Sequence, residues 1–309
     1  MKIIKPKFWD KHYITFFSLL LWPLSFFYQI IFFLKKIFTK ENKFSRPIIC
    51  IGNLYIGGTG KTPVALKVFE LFKNEKNPVV IKKNYKNQID EIILLSKYSK
   101  IISKKERAIA IKEAIEDKFD ILILDDGFQD FSIKKNLNII CFNDQQRIGN
   151  GFTIPSGPLR QNLSSLKDAH IVFINGKKDL EFQEKLKKYN RNLKFFYFNY
   201  YLKNPNEFKN KKLIAFAGIG NPENFFNILK LNRLNIVKEI SFPDHYEYSK
   251  NDLEGLIRLE KKFNAKLITT EKDYFRISKF ERKRFGMVPI KVKIENEENF
   301  FNLMKDFIK

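Results

Sequence analysis

The chain has 309 residues, of which 44% are hydrophobic and 29% charged, a composition typical of folded proteins that excludes a wholly disordered chain. This length is sufficient for two modest domains. The formal net charge of +23 indicates nucleic-acid binding, attraction to an anionic membrane or an acidic substrate. The basic residues are dispersed, however, and Lys, Asn, Ile and Phe are abundant together, as AT-rich coding would produce. Charge alone therefore identifies no partner.

The N-terminal part of the chain contains an uncharged apolar segment at residues 14–34. As a helix it would be about 30 Å long, enough to reach across a hydrocarbon core. It is longer than the apolar part of a usual signal peptide, and a basic stretch follows it instead of a cleavage site. Basic residues flank both ends, so the positive-inside rule does not settle its orientation. We expect a membrane anchor; a single span is slightly favoured, and a helix lying in the interface remains open because Pro23 and Gln29 interrupt the segment.

The rest of the sequence alternates short apolar runs with longer polar stretches. The runs lie at residues 48–51, 79–81, 121–124, 137–142, 171–174, 213–217 and 267–269. Such a pattern predicts an α/β fold of the P-loop type, with a doubly wound, mainly parallel sheet followed by a second, smaller α/β lobe. The strand signal is weakest in residues 179–211.

Three segments are expected from this organisation. They are an N-terminal membrane-anchoring segment at 1–46, a nucleotide-binding domain at 47–163 and a C-terminal α/β lobe at 164–309. Cys50 and Cys141 each lie in a predicted buried strand without metal-ligand spacing. We expect two core thiols rather than a disulfide, which suits a reducing cytosol.

A glycine-rich segment between the first predicted strand and a predicted helix has the features of a phosphate-binding loop. Its residues are Tyr55, Ile56, Gly57, Gly58, Thr59, Gly60, Lys61 and Thr62. Glycines let backbone N–H groups turn toward a phosphate, and the N-terminus of the following helix adds a favourable dipole. Lys61 can reach the β- and γ-phosphates of ATP, and Thr62 can bind Mg²⁺. Tyr55 stands where the strict pattern has its first glycine, but the flanking strand and helix still predict nucleotide binding.

Paired acids follow the run at residues 121–124. Ligands of doubly wound sheets gather at the carboxyl ends of the strands, and an acid there can hold Mg²⁺ directly or through water. Asp125 is the predicted metal-side carboxylate, and Asp126 supports it.

If the bound nucleotide donates a phosphate, another group must deprotonate or orient the acceptor hydroxyl. The pair Asp90-Glu91 follows the second predicted strand, on the same rim of the sheet. The pair Asp244-His245 lies in a proline-containing loop of the second lobe. Spacing alone does not choose between them.

The motifs in their order resemble the tetraacyldisaccharide 4'-kinases of lipid A biosynthesis. The similar segments are Phe8-Trp9 with residues 21–25, then 51–63 including the absent first glycine, 125–129, 149–160, 242–245 and 270–273. The resemblance covers essentially the whole chain.

This resemblance implies a two-lobed kinase that transfers the γ-phosphate of ATP to the 4'-hydroxyl of a tetraacyldisaccharide 1-phosphate, giving lipid IVA. Asp90 would be the acceptor-activating base, and His245 would be its partner. Glu91 would lie close to the Mg²⁺ or the nucleotide. Because Asp90 and His245 would come from different lobes, lobe closure would assemble the site.

The same resemblance gives the expected surroundings. The protein would work at the inner membrane with its catalytic domains on the cytosolic face, as a monomer that contacts an anionic membrane surface and binds no nucleic acid. Three departures from the family pattern stand out: the segment 82–87, Asp130 in place of histidine and Gln161 in place of glutamate. A membrane-associated regulatory P-loop ATPase is the alternative, although it would need neither Asp90 with His245 nor the loop 149–160.

Overall fold

The computed structural model describes residues 5–85 and 89–309, and the chain divides into two compact units. Unit 1 comprises Met1–Asn84, Ser99–Asn199 and Ile294–Lys309, and unit 2 comprises Tyr85–Tyr98 and Tyr200–Lys293. The division differs from the boundaries expected at 163/164. Unit 1 continues further because more strands join its sheet, whereas residues 85–98 group with the C-terminal part.

The helices and strands alternate along most of the chain. The helices are α1 Phe16–Phe38, α2 Lys61–Phe72, α3 Ile89–Tyr98, α4 Arg107–Glu116, α5 Leu180–Lys187, α6 Pro222–Leu231, α7 Lys250–Phe263, α8 Glu271–Arg276 and α9 Glu297–Phe307. The strands are β1 Ile48–Gly52, β2 Pro78–Lys83, β3 Ile101–Lys104, β4 Ile121–Asp125, β5 Leu137–Asn143, β6 Ile171–Asn175, β7 Lys194–Leu202, β8 Lys212–Ala217, β9 Asn235–Ser241, β10 Lys266–Thr270, β11 Gly286–Val288 and β12 Ile290–Ile294.

The larger sheet has eight strands in the order β12-β7-β6-β5-β1-β4-β2-β3, and β1 to β6 lie wholly in unit 1. The pairings of β1 with β4 and β5, of β2 with β3 and β4, and of β6 with β5 and β7 are parallel. Strands β1, β4, β5 and β6 are buried along their whole length, as expected for a sheet covered on both faces. The predicted α/β architecture is confirmed.

Unit 2 has its own sheet of four parallel strands, in the order β11-β10-β8-β9. Its hydrophobic core contains Phe225, Phe226 and Leu229 of α6 together with Leu213 and Ala215 of β8. A second cluster joins β8 to α7 and β10. This is the smaller α/β lobe that the sequence predicts.

All seven apolar runs form strands, whereas β3, β7, β9, β11 and β12 were not predicted. Strand β7 lies in the stretch with the weakest signal; residues 195–198 are all aromatic, but only part of the strand is buried. No residue of β9 is fully buried. A half-exposed strand such as β9 lacks the continuous apolar run that identifies a central strand.

Helix α1 is long and apolar enough to cross a membrane, the one such helix among residues 5–85 and 89–309. Its cap residue Thr15 accepts a hydrogen bond from the backbone of Ser18. Most of its large apolar side chains are exposed, yet Ser18 and Ser25 are buried. The predicted core thiols are confirmed, since Cys50 and Cys141 are both buried and free.

Candidate active site

The glycine-rich loop connects β1 to α2 as the sequence predicts. Gly57 and Gly60 have φ angles of +109° and +91°, which L side chains rarely adopt, so the loop requires glycine at both positions. A Cβ built on Gly57 would meet no heavy atom of the described residues within 4 Å. The glycine is therefore needed for its conformation, and the space beside it is open. Gly60 is the N-cap of α2, so the loop ends at the positive end of a helix.

Tyr55, at the position of the missing glycine, points away from that open space. Its side chain is fully buried, and its hydroxyl donates to the carboxylate of Asp10. Lys5 Nζ lies 3.3 Å from the same hydroxyl. The Asn53 side-chain amide donates to the carbonyl oxygen of Tyr55 at 2.5 Å, which holds the loop backbone. Tyr55 thus ties the loop to the N-terminal segment, and only its backbone faces the loop.

Asp125 ends β4 beside the first turn of α2, as predicted for a metal-side carboxylate. Its side chain is fully buried. The Thr62 hydroxyl donates to Oδ2 at 3.0 Å, and the Lys82 ammonium donates to the same oxygen at 2.7 Å. The other oxygen, Oδ1, is buried and has no hydrogen-bond partner among the described residues.

These groups fit Mg²⁺ in the manner of phosphate-loop proteins. Among the described residues there is no group of three His, Cys, Asp or Glu side chains that could hold a metal ion. Mg²⁺ does not need such a cage, because it keeps several waters and is bound by one or two protein oxygens together with phosphates. The orphaned Oδ1 of Asp125 and the adjacent Thr62 hydroxyl are oxygens of this kind.

Asp126 follows Asp125 in sequence and is held by two cations. Its φ of +60° turns it out of the strand direction. Arg160 donates from Nη1 to both carboxylate oxygens, at 3.0 and 3.1 Å, and the Lys61 ammonium lies 3.8 Å away. Burial opposes ionisation of Asp126, but Lys61 and Arg160 outweigh it and lower the pKa of the carboxyl to about 2. Asp126 is therefore an anion at neutral pH.

Unit 2 contains a second set of polar residues, centred on Asp90 at the start of α3. Asp90 and Glu91 are both buried. Arg276 of α8 donates to Asp90 Oδ2 from Nε at 2.9 Å and from Nη2 at 2.7 Å. Lys272 of the same helix pairs with Glu91. His245 Nδ1 lies 3.9 Å from Asp90 Oδ2, beyond hydrogen-bond distance.

The structure places Asp90 and His245 near each other. The sequence analysis expected them to come from different lobes, whereas the structure has both in one unit. Both residues belong to unit 2, because α3 packs against α8. Lobe closure is therefore not needed to bring Asp90 to His245.

Lys82, Arg160 and Arg276 were missed as site residues. Lys82 is the last residue but one of β2 and lies beside Asp125 in the sheet register, so the rule that identified Asp125 could have found it. Arg160 is the last residue of the loop 149–160, but the sequence does not show which acid it pairs with. Arg276 follows the segment 270–273 by one helical turn and carries no sequence signal of its own.

The structure shows the surroundings of the residues that depart from the family pattern. Asp130 pairs with the buried Arg107 at 3.2 Å, and the Arg107 guanidinium also donates to the carbonyl oxygen of Asp126 at 2.6 Å. Asp130 therefore supports the turn that carries the carboxylates. Gln161 is buried, and its Oε1 has no partner among the described residues. In the segment 82–87, residues 86 and 87 lie outside the described residues.

The loop 149–160 is bound to one face of α1. Ser25 Oγ donates to the carbonyl oxygen of Thr153 at 2.8 Å and accepts from the Ser156 backbone at 2.9 Å, all in the buried interior. Nearer the start of the helix, the Asn150 side-chain amide donates to Ser18 Oγ at 2.9 Å. The polar residues that interrupt the apolar segment thus form a seam with the loop that also contains Arg160.

Known proteins resemble this chain along nearly its whole length. The family model described as LpxK, tetraacyldisaccharide-1-P 4'-kinase, matches residues 17–309. A tetraacyldisaccharide 4'-kinase of Pelagibacter ubique is 44% identical over 309 residues, covering 98% of this chain and 97% of that protein. One of Rickettsia bellii is 36% identical over 295 residues, covering 90% of each.

A solved structure supports the fold. The crystal structure of the "apo" form of LpxK from Aquifex aeolicus in complex with ATP has a TM-score of 0.72 and 23% identity, and the match covers 94% of this chain and 99% of that one. At this identity the likeness establishes the architecture. Taken with the family match along nearly the whole sequence, these findings show that the chain belongs to the tetraacyldisaccharide-1-P 4'-kinase family.

Proposed function

We propose that this protein transfers the γ-phosphate of ATP to the 4'-hydroxyl of a tetraacyldisaccharide 1-phosphate, which gives lipid IVA. The observation that carries the proposal is the phosphate loop with Thr62 against Asp125, in a chain of this family. In the reaction the acceptor hydroxyl loses its proton, its oxygen bonds to the γ-phosphorus, and the bond from that phosphorus to the β,γ-bridging oxygen breaks. ADP leaves with the bridging oxygen.

The nucleotide side of the reaction belongs to unit 1. The loop from Tyr55 to Thr62 binds the phosphates through its backbone, and Lys61 neutralises charge on the β- and γ-phosphates. Thr62 and Asp125 would hold Mg²⁺, which when bound screens the phosphate charge. Asp126 orients Lys61 and Arg160, so that two cations remain beside the loop.

The acceptor side belongs to unit 2. Asp90 takes the proton of the 4'-hydroxyl as a general base, and His245 assists it. Glu91, the neighbour of Asp90 in sequence, has Lys272 as its counter-ion. The buried position of Asp90 supports this role, because water then competes less with the acceptor hydroxyl for the carboxylate.

Helix α1 would hold the protein at the inner face of the cytoplasmic membrane, where cytosolic ATP is available. Its contacts with the rest of unit 1 extend from Ser18 to Lys36, whose ammonium lies 2.5 Å from Asp168. These residues span about 27 Å of helix, nearly the thickness of a hydrocarbon core. A helix crossing the membrane could not keep polar partners along this length, so we propose that α1 lies in the interface with its exposed apolar side in the lipid.

The exposed apolar side is large enough for this purpose. Among its members are Phe17, Leu20, Phe27 and Ile31, each more than half exposed. The excess of positive charge then favours an anionic lipid surface and a phosphorylated lipid substrate. Family membership favours the kinase over the regulatory ATPase.

Transfer of radiolabelled γ-phosphate to a tetraacyldisaccharide 1-phosphate in detergent micelles tests the proposal. We expect label in the lipid with wild type and with the control Lys73→Ala, since Lys73 is exposed beyond the end of α2. Lys61→Ala should give none. ATP hydrolysis by wild type without labelled lipid, beside a working 4'-kinase, would contradict it.

A further inference from the structure

The guanidinium of Arg276 is the common partner of the residues that surround Asp90. Nε and Nη2 both donate to Asp90 Oδ2, while Nη1 donates to Asp273 Oδ1 at 2.9 Å and to the carbonyl oxygen of Gly218. The side chain of Arg276 is only 8% exposed, and those of its two acidic partners are 5% and 0% exposed. Buried charges of this kind are costly unless they are paired and hydrogen-bonded, and this arrangement satisfies that requirement.

Asp273 fixes Arg276 in turn. It accepts hydrogen bonds from the hydroxyls of Thr270 and Tyr248, at 2.7 and 3.0 Å, and from the Gly218 backbone at 3.0 Å. The guanidinium is therefore held by a carboxylate that is itself held on several sides. Asp273 therefore holds the guanidinium of Arg276 in place, and the same guanidinium binds Asp90.

Arg276 also contacts His245. Its Nη2 lies 3.3 Å from His245 Nδ1. A guanidinium has only donors, so this contact requires Nδ1 to be the unprotonated acceptor nitrogen. The proton of the neutral ring is then assigned to Nε2. Arg276 thus lies beside both members of the proposed pair and favours one tautomer of the histidine.

All contacts to Asp90 fall on one oxygen. The two hydrogen bonds from Arg276 and the nearest approach of His245 involve Oδ2. Within residues 5–85 and 89–309, Oδ1 accepts no hydrogen bond. A carboxylate fixed through one oxygen presents the other in a defined direction, which is the requirement for accepting a proton from a bound hydroxyl.

We infer that Arg276 is a positioning residue that fixes Asp90 and His245 for attack by the acceptor hydroxyl, an inference that rests on the function proposed above. Arginine is required because the side chain reaches Asp90, Asp273, Gly218 and His245 at once with a planar set of donors. A lysine ammonium could not maintain this set of contacts. Arg276 itself does not touch the transferred phosphate in this role.

A double-mutant cycle distinguishes positioning from a merely structural ion pair between α3 and α8. We expect Arg276→Met to lower kcat for lipid phosphorylation about tenfold to a hundredfold, with the Kd for ATP changed less than twofold. In an Asp90→Asn background the same substitution should lower kcat no further, because the residue through which Arg276 acts is already lost. Arg284→Met, which removes an arginine paired with Glu260 on the surface of the same unit, is the matched control.

Arg276→Lys is measured alongside, because it keeps the charge if the methionine variant does not fold. It should melt near the wild-type temperature and still lose kcat. Full kcat in Arg276→Lys or Arg276→Met, or losses that multiply with those of Asp90→Asn, would overturn the inference. Wild type that labels no lipid would instead refute the proposed function, so the two failures are distinguishable.

Discussion

The ammonium of Lys82 lies 2.7 Å from Oδ2 of Asp125, and neither side chain is more than 4% exposed. A buried cation therefore already neutralises the carboxylate proposed for Mg²⁺. Lys82 belongs to the segment where the sequence departs from the family pattern, so this pairing gives the departure a physical role. The carboxylate keeps Oδ1 for another partner while Oδ2 is held by Lys82 and Thr62.

Removing the cation from this pair should destabilise unit 1. We expect Lys82→Met to lower the free energy of unfolding by about 3 kcal/mol, because Asp125 is left buried and charged. Added Mg²⁺ should stabilise this variant more than wild type, since it supplies positive charge at the same carboxylate. The measurement is urea unfolding with and without Mg²⁺.

The control is Lys104→Met, which breaks an exposed pair with Glu113 at the neighbouring β3 and should cost less than about 1 kcal/mol. Equal unfolding midpoints for the two variants would contradict the stabilising role of Lys82.

Loss of the proposed base should affect chemistry and not nucleotide binding. We expect Asp90→Asn to lower kcat by about 10²–10⁴-fold, because the acceptor hydroxyl loses its proton acceptor. The Kd for ATP should remain near that of wild type. Steady-state lipid phosphorylation and equilibrium binding of a non-hydrolysable ATP analogue measure the two quantities. Glu247→Gln, an exposed change in the same unit, should leave both unchanged; loss of ATP binding in Asp90→Asn would refute the role.

Whether a strand can be predicted from the sequence depends on how completely that strand is buried. The central strands and the turn at Gly57 and Gly60 could be predicted, because a fully buried strand is continuously apolar and a left-handed turn requires glycine. Strand β9 could not, since it is only partly buried and its sequence is mixed.

The carboxylates of the site were predicted, whereas their counter-ions were not. Asp125 is identifiable because it follows an apolar strand directly. Arg276 lies 186 positions from Asp90 in sequence, and only the packing of α3 against α8 brings them together. The same packing places Asp90 in the unit that contains His245, and their positions in the sequence do not show this. Long-range ion pairs of this kind leave no local pattern.

Acid should weaken the contribution of Asp126 to stability. Its pKa is about 2 in the folded protein, below the ordinary value of 3.8, so the folded state favours the ionised form. That contribution is fully present above the unfolded-state pKa and is lost as the pH falls through the folded-state value. Between pH 6 and pH 3 we expect the stability advantage of wild type over Asp126→Asn to shrink by about 1 kcal/mol. Urea unfolding of both proteins at the two pH values measures it, and a constant difference would contradict the assigned pairing with Lys61 and Arg160.

An in-plane α1 predicts that both of its ends lie on the cytosolic side. Lys11 and Lys43 are exposed and flank the helix, while the native Cys50 and Cys141 are buried. In inverted membrane vesicles, single cysteines introduced as Lys11→Cys and Lys43→Cys should both react with a membrane-impermeant maleimide without permeabilisation. The wild-type protein is the control for background labelling. If one position reacts only after permeabilisation, the helix spans the membrane and the in-plane arrangement is wrong.

Comparison of two acceptors tests whether the protein phosphorylates the 4'-hydroxyl. Wild-type protein and radiolabelled ATP are incubated with a tetraacyldisaccharide 1-phosphate and with the same lipid already phosphorylated at the 4' position, and the products are analysed by mass spectrometry. We expect one added phosphate on the first lipid and none on the second. Equal labelling of both lipids, or labelling of neither beside an active control kinase, would contradict it.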